Sequence, residues 1–325
     1  MNRPSDFSAA RGPDVPVGAC KIPASRCLER PPRIAAIHDL SAFGRCALAV
    51  VLPVLSAMGC QGCPVPTALL STHTGGFSGI EKAACEDFPG RTARHWAVCG
   101  ASPDCIYSGY LGSPSQAGQV EDFGRLFPHA LRVVDPVLGD EGRPYGGISP
   151  EMIRSMTRLA GGADLLTPNP TEVSLLLDAP YSDRPLTNSA ALDTLRALSS
   201  LGASPAAVVI TGRRMDGGEV CNLCYLPAGS RLGRAAGLTA DVAWRFACDY
   251  RYPSYPGTGD IFASVTVAGL MRGEPLSAAV GRATAFVERC IALTAGSGEP
   301  SRDGVFLEYA LPELEEICPR AGKPL

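Results

Sequence analysis

Lysine is almost missing from this chain: Lys21, Lys82 and Lys323 are all it has. A Walker phosphate loop needs Gly-Lys-Ser/Thr, and no lysine here stands in that pattern. An enzyme built on an internal Schiff base needs a lysine nucleophile, so the same scarcity argues against that chemistry. Charge of one sign is also lacking. The formal net charge is −3, which gives no field to favour nucleic acid or a membrane surface as partner. Long hydrophobic runs are missing as well: the best, residues 46–55, is short and carries Pro53, well below transmembrane length. Residues 1–32 hold charges and prolines without the apolar core of a secretory signal. The expectation is a cytoplasmic enzyme.

What is present is a chain of 325 residues with 46% hydrophobic content, enough for one large α/β domain or two smaller ones. Thirteen cysteines are scattered through apolar segments, which suits a reducing compartment where cysteine serves as a small core residue. Two C-x-x-C pairs, Cys60/Cys63 and Cys221/Cys224, raise the alternative of a structural zinc. Each pair reads as part of a strand and the two lie far apart, so packing is the simpler reading.

Residues 1–31 are rich in Pro, Arg and Ser without periodicity and read as a disordered tail. From Arg33 short apolar runs alternate with helical stretches. Strands are expected at residues 33–38, 63–71, 104–108, 131–135, 164–167 and 206–211, with further β segments at 220–227 and 240–248. Helices are expected at 44–58, 261–270, 276–295 and 306–318. Such alternation implies right-handed βαβ units and a mostly parallel sheet in one domain, residues 32–325. Ligands then collect beyond the carboxyl ends of the strands.

The polar residues sit at those ends. Gly257-Thr258-Gly259-Asp260 opens the helix at 261–270, where two glycines allow a tight turn and free amides attract an anion such as phosphate. The Asp260 carboxylate on the same turn could take a proton from an attacking hydroxyl. An anion cradle beside a base is what phosphoryl transfer to an alcohol needs. Asp135 and Glu172, at neighbouring strand ends, could hold Mg²⁺ directly or through water, and Asn169 adds an oxygen ligand or an amide. Each also has a plainer reading: Asp135 as a turn residue before proline, Glu172 as a first-turn glutamate favoured by the helix dipole.

Asp135-Pro-Val, Asn169-Pro-Thr-Glu172 and Gly257-Thr-Gly-Asp260, in this order, resemble the ribokinase superfamily of small-molecule kinases. Ser71-Thr-His-Thr74, Ser108-Gly-Tyr-Leu-Gly112 and Asp135-Pro-Val-Leu-Gly-Asp140 are most similar to its pyridoxal/pyridoxamine kinases. The resemblance covers about residues 33–296. It implies a ribokinase-like three-layer α/β/α sandwich and transfer of the γ-phosphoryl group of ATP to the 5′-hydroxymethyl of vitamin B6, with Mg²⁺. It also implies site roles. Asp260 is then the base, and Gly257, Thr258 and Gly259 form the anion hole. Asn169 and Glu172 organise metal and phosphates with Asp135. Thr167 and Thr211 stand on the nucleotide side, and Asp140 and Tyr145 lie on a flap. Thr74 and Tyr110 face the pyridine ring, with Asp39 or Ser41 near its polar edge. His73 reads as a structural residue. A homodimer is implied by resemblance only.

One departure is visible. Pyridoxal kinases usually have Ser-His-Val after the first strand, and this chain has Asp39-Leu40-Ser41. A carboxylate there could bond a protonated ring nitrogen or a ring hydroxyl. The alternatives are a hydroxymethylpyrimidine kinase, which usually has Cys where Asp260 stands, and a non-catalytic nucleotide- or vitamin-binding protein. Sugar and nucleoside kinases usually carry a lid of strands after the first strand, for which residues 39–44 leave no room.

Overall fold

Near-continuous apolar runs form strands that are covered on both faces, as in a sheet between two helical layers. The computed structural model describes residues 30–249 and 254–325. The tail expected at 1–31 falls almost wholly outside the described residues. The strands are β1 (Arg33–Ser41), β2 (Gln61–Leu70), β3 (Lys82–Ala84), β4 (Cys105–Ser108), β5 (Leu131–Val134), β6 (Gly139–Asp140), β7 (Arg143–Pro144), β8 (Leu165–Leu166), β9 (Ala207–Arg214), β10 (Val220–Leu226), β11 (Val242–Cys248) and β12 (Lys323–Pro324). The helices are α1 (Leu48–Ala57), α2 (Phe88–Cys99), α3 (Pro114–Leu126), α4 (Pro150–Ala160), α5 (Pro170–Leu176), α6 (Asn188–Ser199), α7 (Arg231–Ala235), α8 (Thr258–Met271), α9 (Leu276–Thr294) and α10 (Leu307–Ala310).

Ten strands form one sheet in the order β12-β11-β10-β9-β8-β5-β4-β1-β2-β3. The central strands from β9 through β2 are parallel. The edges β3, β10, β11 and β12 run antiparallel to their neighbours. Alternation along β1 assigns its side chains to the two cores. Ile34 and Ala36 join a cluster made with α1, α8 and α9, whereas Ala35 and Ile37 join one made with α2, α3, α4 and α6. The result is the expected α/β/α sandwich, with a mostly parallel sheet in the middle.

The path reverses at β1. The chain goes from β1 out to β2 and β3, then returns to place β4 on the other side of β1. This is a switch point, where a crevice opens beyond the strand ends. The tips there lie side by side: the Gly109 amide bonds the Ile37 carbonyl, that of Asp135 the Ser108 carbonyl, and that of Thr167 the Val134 carbonyl.

Two expected helices differ. The helix expected from residue 44 starts at Leu48, because residues 42–47 are drawn across toward α8 and the C-terminal segment; the Arg45 amide bonds the Asp303 carbonyl. The helix expected at 306–318 is the short α10 followed by a 3₁₀ segment, Leu311–Glu316, with Pro312 in its first turn, where the ring denies the α-helical bond. Pro64 and Pro66 are tolerated within β2 because β3 pairs only with Ala68–Leu70, leaving the earlier part of the strand as an edge. The C-x-x-C pairs do not converge. Cys221 and Cys224 point into opposite cores, and no metal-holding cluster of three or more His, Cys, Asp or Glu occurs among the described residues.

Candidate active site

Helix α8 begins at Gly257, whose φ of 83° is left-handed. Glycine is required here twice over: the conformation disfavours any side chain, and a methyl group would strike the Arg45 carbonyl. No side chain caps this helix, so its first amides, which lack intrahelical acceptors, are left to other partners. They face a cavity of about 670 Å³, a size typical of small-molecule sites. Asp260 stands in the first turn of α8 and lines the same cavity.

Both oxygens of Asp260 are held. Oδ2 accepts the Ala47 amide at 2.7 Å. Oδ1 faces His38 Nε2 at 3.0 Å. The Ala47 amide is aimed there by an unusual backbone, φ 51° and ψ −143°, a region essentially reserved for glycine. His38 Nδ1 in turn faces Asp39 Oδ1 at 2.8 Å, and Ser41 Oγ donates to Asp39 Oδ2 at 2.8 Å. His38, Asp39 and Ser41 are all buried. Burial alone would lower the His38 pKa, but the charge and hydrogen bond of Asp260, joined by those of Asp39, raise it to about 10. Burial opposes ionisation of Asp39 too, yet the His38 contact and the Ser41 hydroxyl hold it below the usual carboxylate range. Cys46, on the same wall, is kept a neutral thiol by burial and by the Asp260 and Asp39 charges.

The acidic side of the cavity is built from the tips of β5 and β8. Asp135 accepts Thr167 Oγ1 at 3.1 Å. Burial and the Asp260 charge raise its pKa, against the opposing pull of His38 and the Thr167 hydroxyl. Asn169 and Glu172 cap α5 reciprocally: Asn169 Oδ1 accepts the Thr171 and Glu172 amides, and Glu172 Oε2 accepts the Asn169 amide at 2.8 Å. Such a box satisfies helix-end donors. Glu172 Oε1 also takes the Leu138 amide at 3.2 Å, and Asn169 Nδ2 donates to the Gly139 carbonyl at 2.8 Å. The capping and site roles of these two residues therefore coexist. Burial and the Asp135 charge push Glu172 far above the ordinary carboxylate range.

Asn169 and Glu172 also root a small hairpin. β6 pairs with β7 across Glu141 and Gly142, both with positive φ, the turn chemistry that favours tight hairpins. Asp140 and Tyr145 flank this hairpin and line the cavity. On the far side, half-buried Thr211 follows the fully buried run Ala207–Ile210 of β9. The Gly212 amide donates to Asn222 Oδ1 at 3.0 Å, and Asn222 Nδ2 to Thr284 Oγ1 at 2.9 Å, so one polar chain links β9, β10 and α9. Thr74 and Tyr110 occupy the opposite end. His73 Nε2 donates to the Arg302 carbonyl at 2.6 Å and its Nδ1 accepts the Gly75 amide, which are the bonds of a structural residue.

The cavity wall thus brings together Asp39, Thr74, Tyr110, Asp135, Asp140, Tyr145, Thr167, Asn169, Glu172, Thr211 and Gly257 through Asp260. Ser41 is absent from it. The expectation of Ser41 at a ligand's polar edge is corrected: its hydroxyl lies behind Asp39 and is spent on that carboxylate. His38, the Ala47 amide, Asn222 and Thr284 were not anticipated. The only sequence sign of His38 is a polar residue beside Asp39 at a strand tip; its partner is 222 positions away.

Residues 52–302 match the phosphomethylpyrimidine kinase family. The chain is similar to a pyridoxal kinase PdxY from Burkholderia lata, 28% identical over 258 residues, which cover 76% of this chain and 82% of the relative. Among solved structures it is similar to a candidate phosphomethylpyrimidine kinase from Bacteroides thetaiotaomicron determined with pyridoxal, at 38% identity and a TM-score of 0.80 over 91% of this chain and 100% of that one. It is also similar to pyridoxal kinase from Lactobacillus plantarum, at 30% identity and a TM-score of 0.77 over 89% and 98% of the two chains.

Two outcomes follow from this geometry. Replacing Ala47 by Gly relieves a strained backbone and keeps the amide, so Ala47→Gly should raise stability by about 1 kcal/mol, the lower end of such strain, without loss of activity; chemical denaturation and a turnover assay check both. Asp135 behaves opposite to an ordinary salt-bridged carboxylate. Its folded pKa is raised to about 7, so the folded state loses stability as pH rises from the unfolded value through the folded one. At neutral pH without metal, Asp135→Asn should therefore stabilise the protein, by at least about 1 kcal/mol, while turnover falls. Thermal melts of the two proteins at pH 5 and pH 8 should differ more at pH 8.

Proposed function

The chain belongs to the phosphomethylpyrimidine kinase family, among the pyridoxal kinases of the ribokinase superfamily, and on that premise we propose that it transfers the γ-phosphoryl group of ATP to the 5′-hydroxymethyl of a B6 vitamer. The observation that carries this reading is one cavity holding both an uncapped helix N-terminus and the Asp260 carboxylate. The amides of the Gly257–Gly259 turn suit the phosphoryl oxygens as charge builds on them. Asp260, on the same turn, accepts the hydroxyl proton as oxygen bonds phosphorus. The rest is positioning, which dominates phosphoryl transfer.

ATP fits between the hairpin bearing Asp140 and Tyr145 and the Thr211 end of the cavity. Thr74 and Tyr110 suit the pyridine ring at the other end. Asp135 and Glu172 are buried carboxylates whose pKa values are raised partly by neighbouring negative charge. That crowding is what a divalent cation relieves. The all-oxygen donor set fits Mg²⁺, which keeps much of its water, so Glu172, with both oxygens already taking amides, suits an outer role. When bound, Mg²⁺ would neutralise phosphate charge. A cytoplasmic setting agrees with the described cysteines, all of them free; no helix among the described residues is long and apolar enough to cross a membrane. A homodimer belongs to the same reading, and sedimentation of the purified protein tests it.

The test is ADP release from ATP with pyridoxal, pyridoxamine, pyridoxine and hydroxymethylpyrimidine as separate acceptors. The reading expects a B6 vitamer to be the preferred acceptor; preference for hydroxymethylpyrimidine, or ATP use independent of any acceptor, would overturn it. Asp260→Asn should bind both substrates and lose turnover by at least about a hundredfold, the scale of general-base loss. Near-normal turnover in that variant removes Asp260 from the mechanism.

A further inference from the structure

The carboxylate of Asp39 lines the cavity, and the simplest role for it is contact with the acceptor's ring. The hydrogen bonds point elsewhere. Oδ1 is 2.8 Å from His38 Nδ1 and Oδ2 takes the Ser41 hydroxyl at 2.8 Å. The other ring nitrogen of His38 is 3.0 Å from Asp260 Oδ1. Carboxylate oxygens only accept, so with a carboxylate at each end both ring nitrogens must carry hydrogen. The Asp39 amide also approaches Nδ1, at 2.9 Å, but a nitrogen that donates to Oδ1 cannot accept from it.

The ring is fixed by shape as well as by charge. It is buried, and Gly109, at the tip of the neighbouring strand β4, packs so closely on it that a methyl group there would overlap Cδ2 and Nε2. The backbone bond from the Gly109 amide to the Ile37 carbonyl, 2.9 Å, sets that spacing. His38 thus sits in a slot, with one carboxylate behind it and the candidate base in front.

We propose that His38 is a positioning residue for Asp260, and that Asp39 acts through His38 and not on the acceptor ring. His38 fixes one oxygen of Asp260 while the Ala47 amide fixes the other, so the carboxylate presents one orientation to the incoming hydroxyl. Asp39, anchored by Ser41, holds the far nitrogen and keeps the ring from turning. Neither residue has to touch substrate. The inference rests on Asp260 being the base.

The test is steady-state kinetics of the full chain with pyridoxal and ATP for His38→Ala, Asp39→Asn and Asp260→Asn. His38→Ala should lower kcat at least tenfold while KM for both substrates stays within about threefold, the pattern of a lost transition-state interaction. Asp39→Asn should lower kcat in the same direction with KM for pyridoxal unchanged. If His38→Ala retains kcat within twofold while Asp260→Asn is inactive, the positioning role is wrong and the base assignment stands; if Asp260→Asn remains active, the base assignment itself has failed. A rise of more than tenfold in KM for pyridoxal in Asp39→Asn, with kcat held, places that carboxylate on the ring and overturns the inference. Should His38→Ala not fold, Gly109→Ala displaces the ring without removing it. The same loss in kcat at constant KM is then expected, and unchanged kcat counts against the proposal.

Discussion

The site depends on a part-buried contact between chain segments 222 residues apart: His38 at the tip of the first strand meets Asp260 on the first turn of α8. Burying charge is expensive unless it is paired and hydrogen-bonded. Here the cost is met by a chain of bonds, Ser41 to Asp39 to His38 to Asp260 to the Ala47 amide. The chain ties β1, the turn after it and α8 into one unit. The turn after β1 can come that close because Gly257 has no side chain to meet the Arg45 carbonyl. Removing either the small residue or the charged bridge separates the Asp260 carboxylate from its support.

Across the cavity the electrostatics are of the opposite kind. Asp135 and Glu172 are each pushed toward the protonated form by burial and by neighbouring negative charge. One wall therefore carries an imidazolium held between two carboxylates, and the other carries carboxylates suited to a cation from solution. The uncapped start of α8 lines the same cavity. Stability is sacrificed in two places to obtain this arrangement, in the strained backbone of Ala47 and in the crowded acids, as expected where function sets local structure.

Much of this was legible in the sequence. Strand ends were marked by apolar runs closing on Asp135, Thr167 and Thr211, and the glycine turn before α8 was evident from Gly257-Thr-Gly-Asp260 ahead of an apolar stretch. Those signals are local, and the cavity gathers the residues they named. The start of α1 falls at Leu48 because residues 44–47 are held by long-range bonds to Asp260 and Asp303, which no local pattern shows. The helix expected at 306–318 was broken by Pro312. Ser41 is placed near the ring only by resemblance, and its bond to Asp39 cannot be seen in the order of residues. His38 has no role that the order of residues can show, since its meaning comes only from Asp260, which the fold brings beside it.

The most direct measurement is a crystal structure of the protein with a non-hydrolysable ATP analogue and pyridoxal. The terminal phosphate is expected against the Gly257–Gly259 amides and the acceptor hydroxyl within about 3 Å of Asp260, the reach a general base needs. Phosphates bound away from the start of α8, or an acceptor hydroxyl remote from that carboxylate, would contradict it.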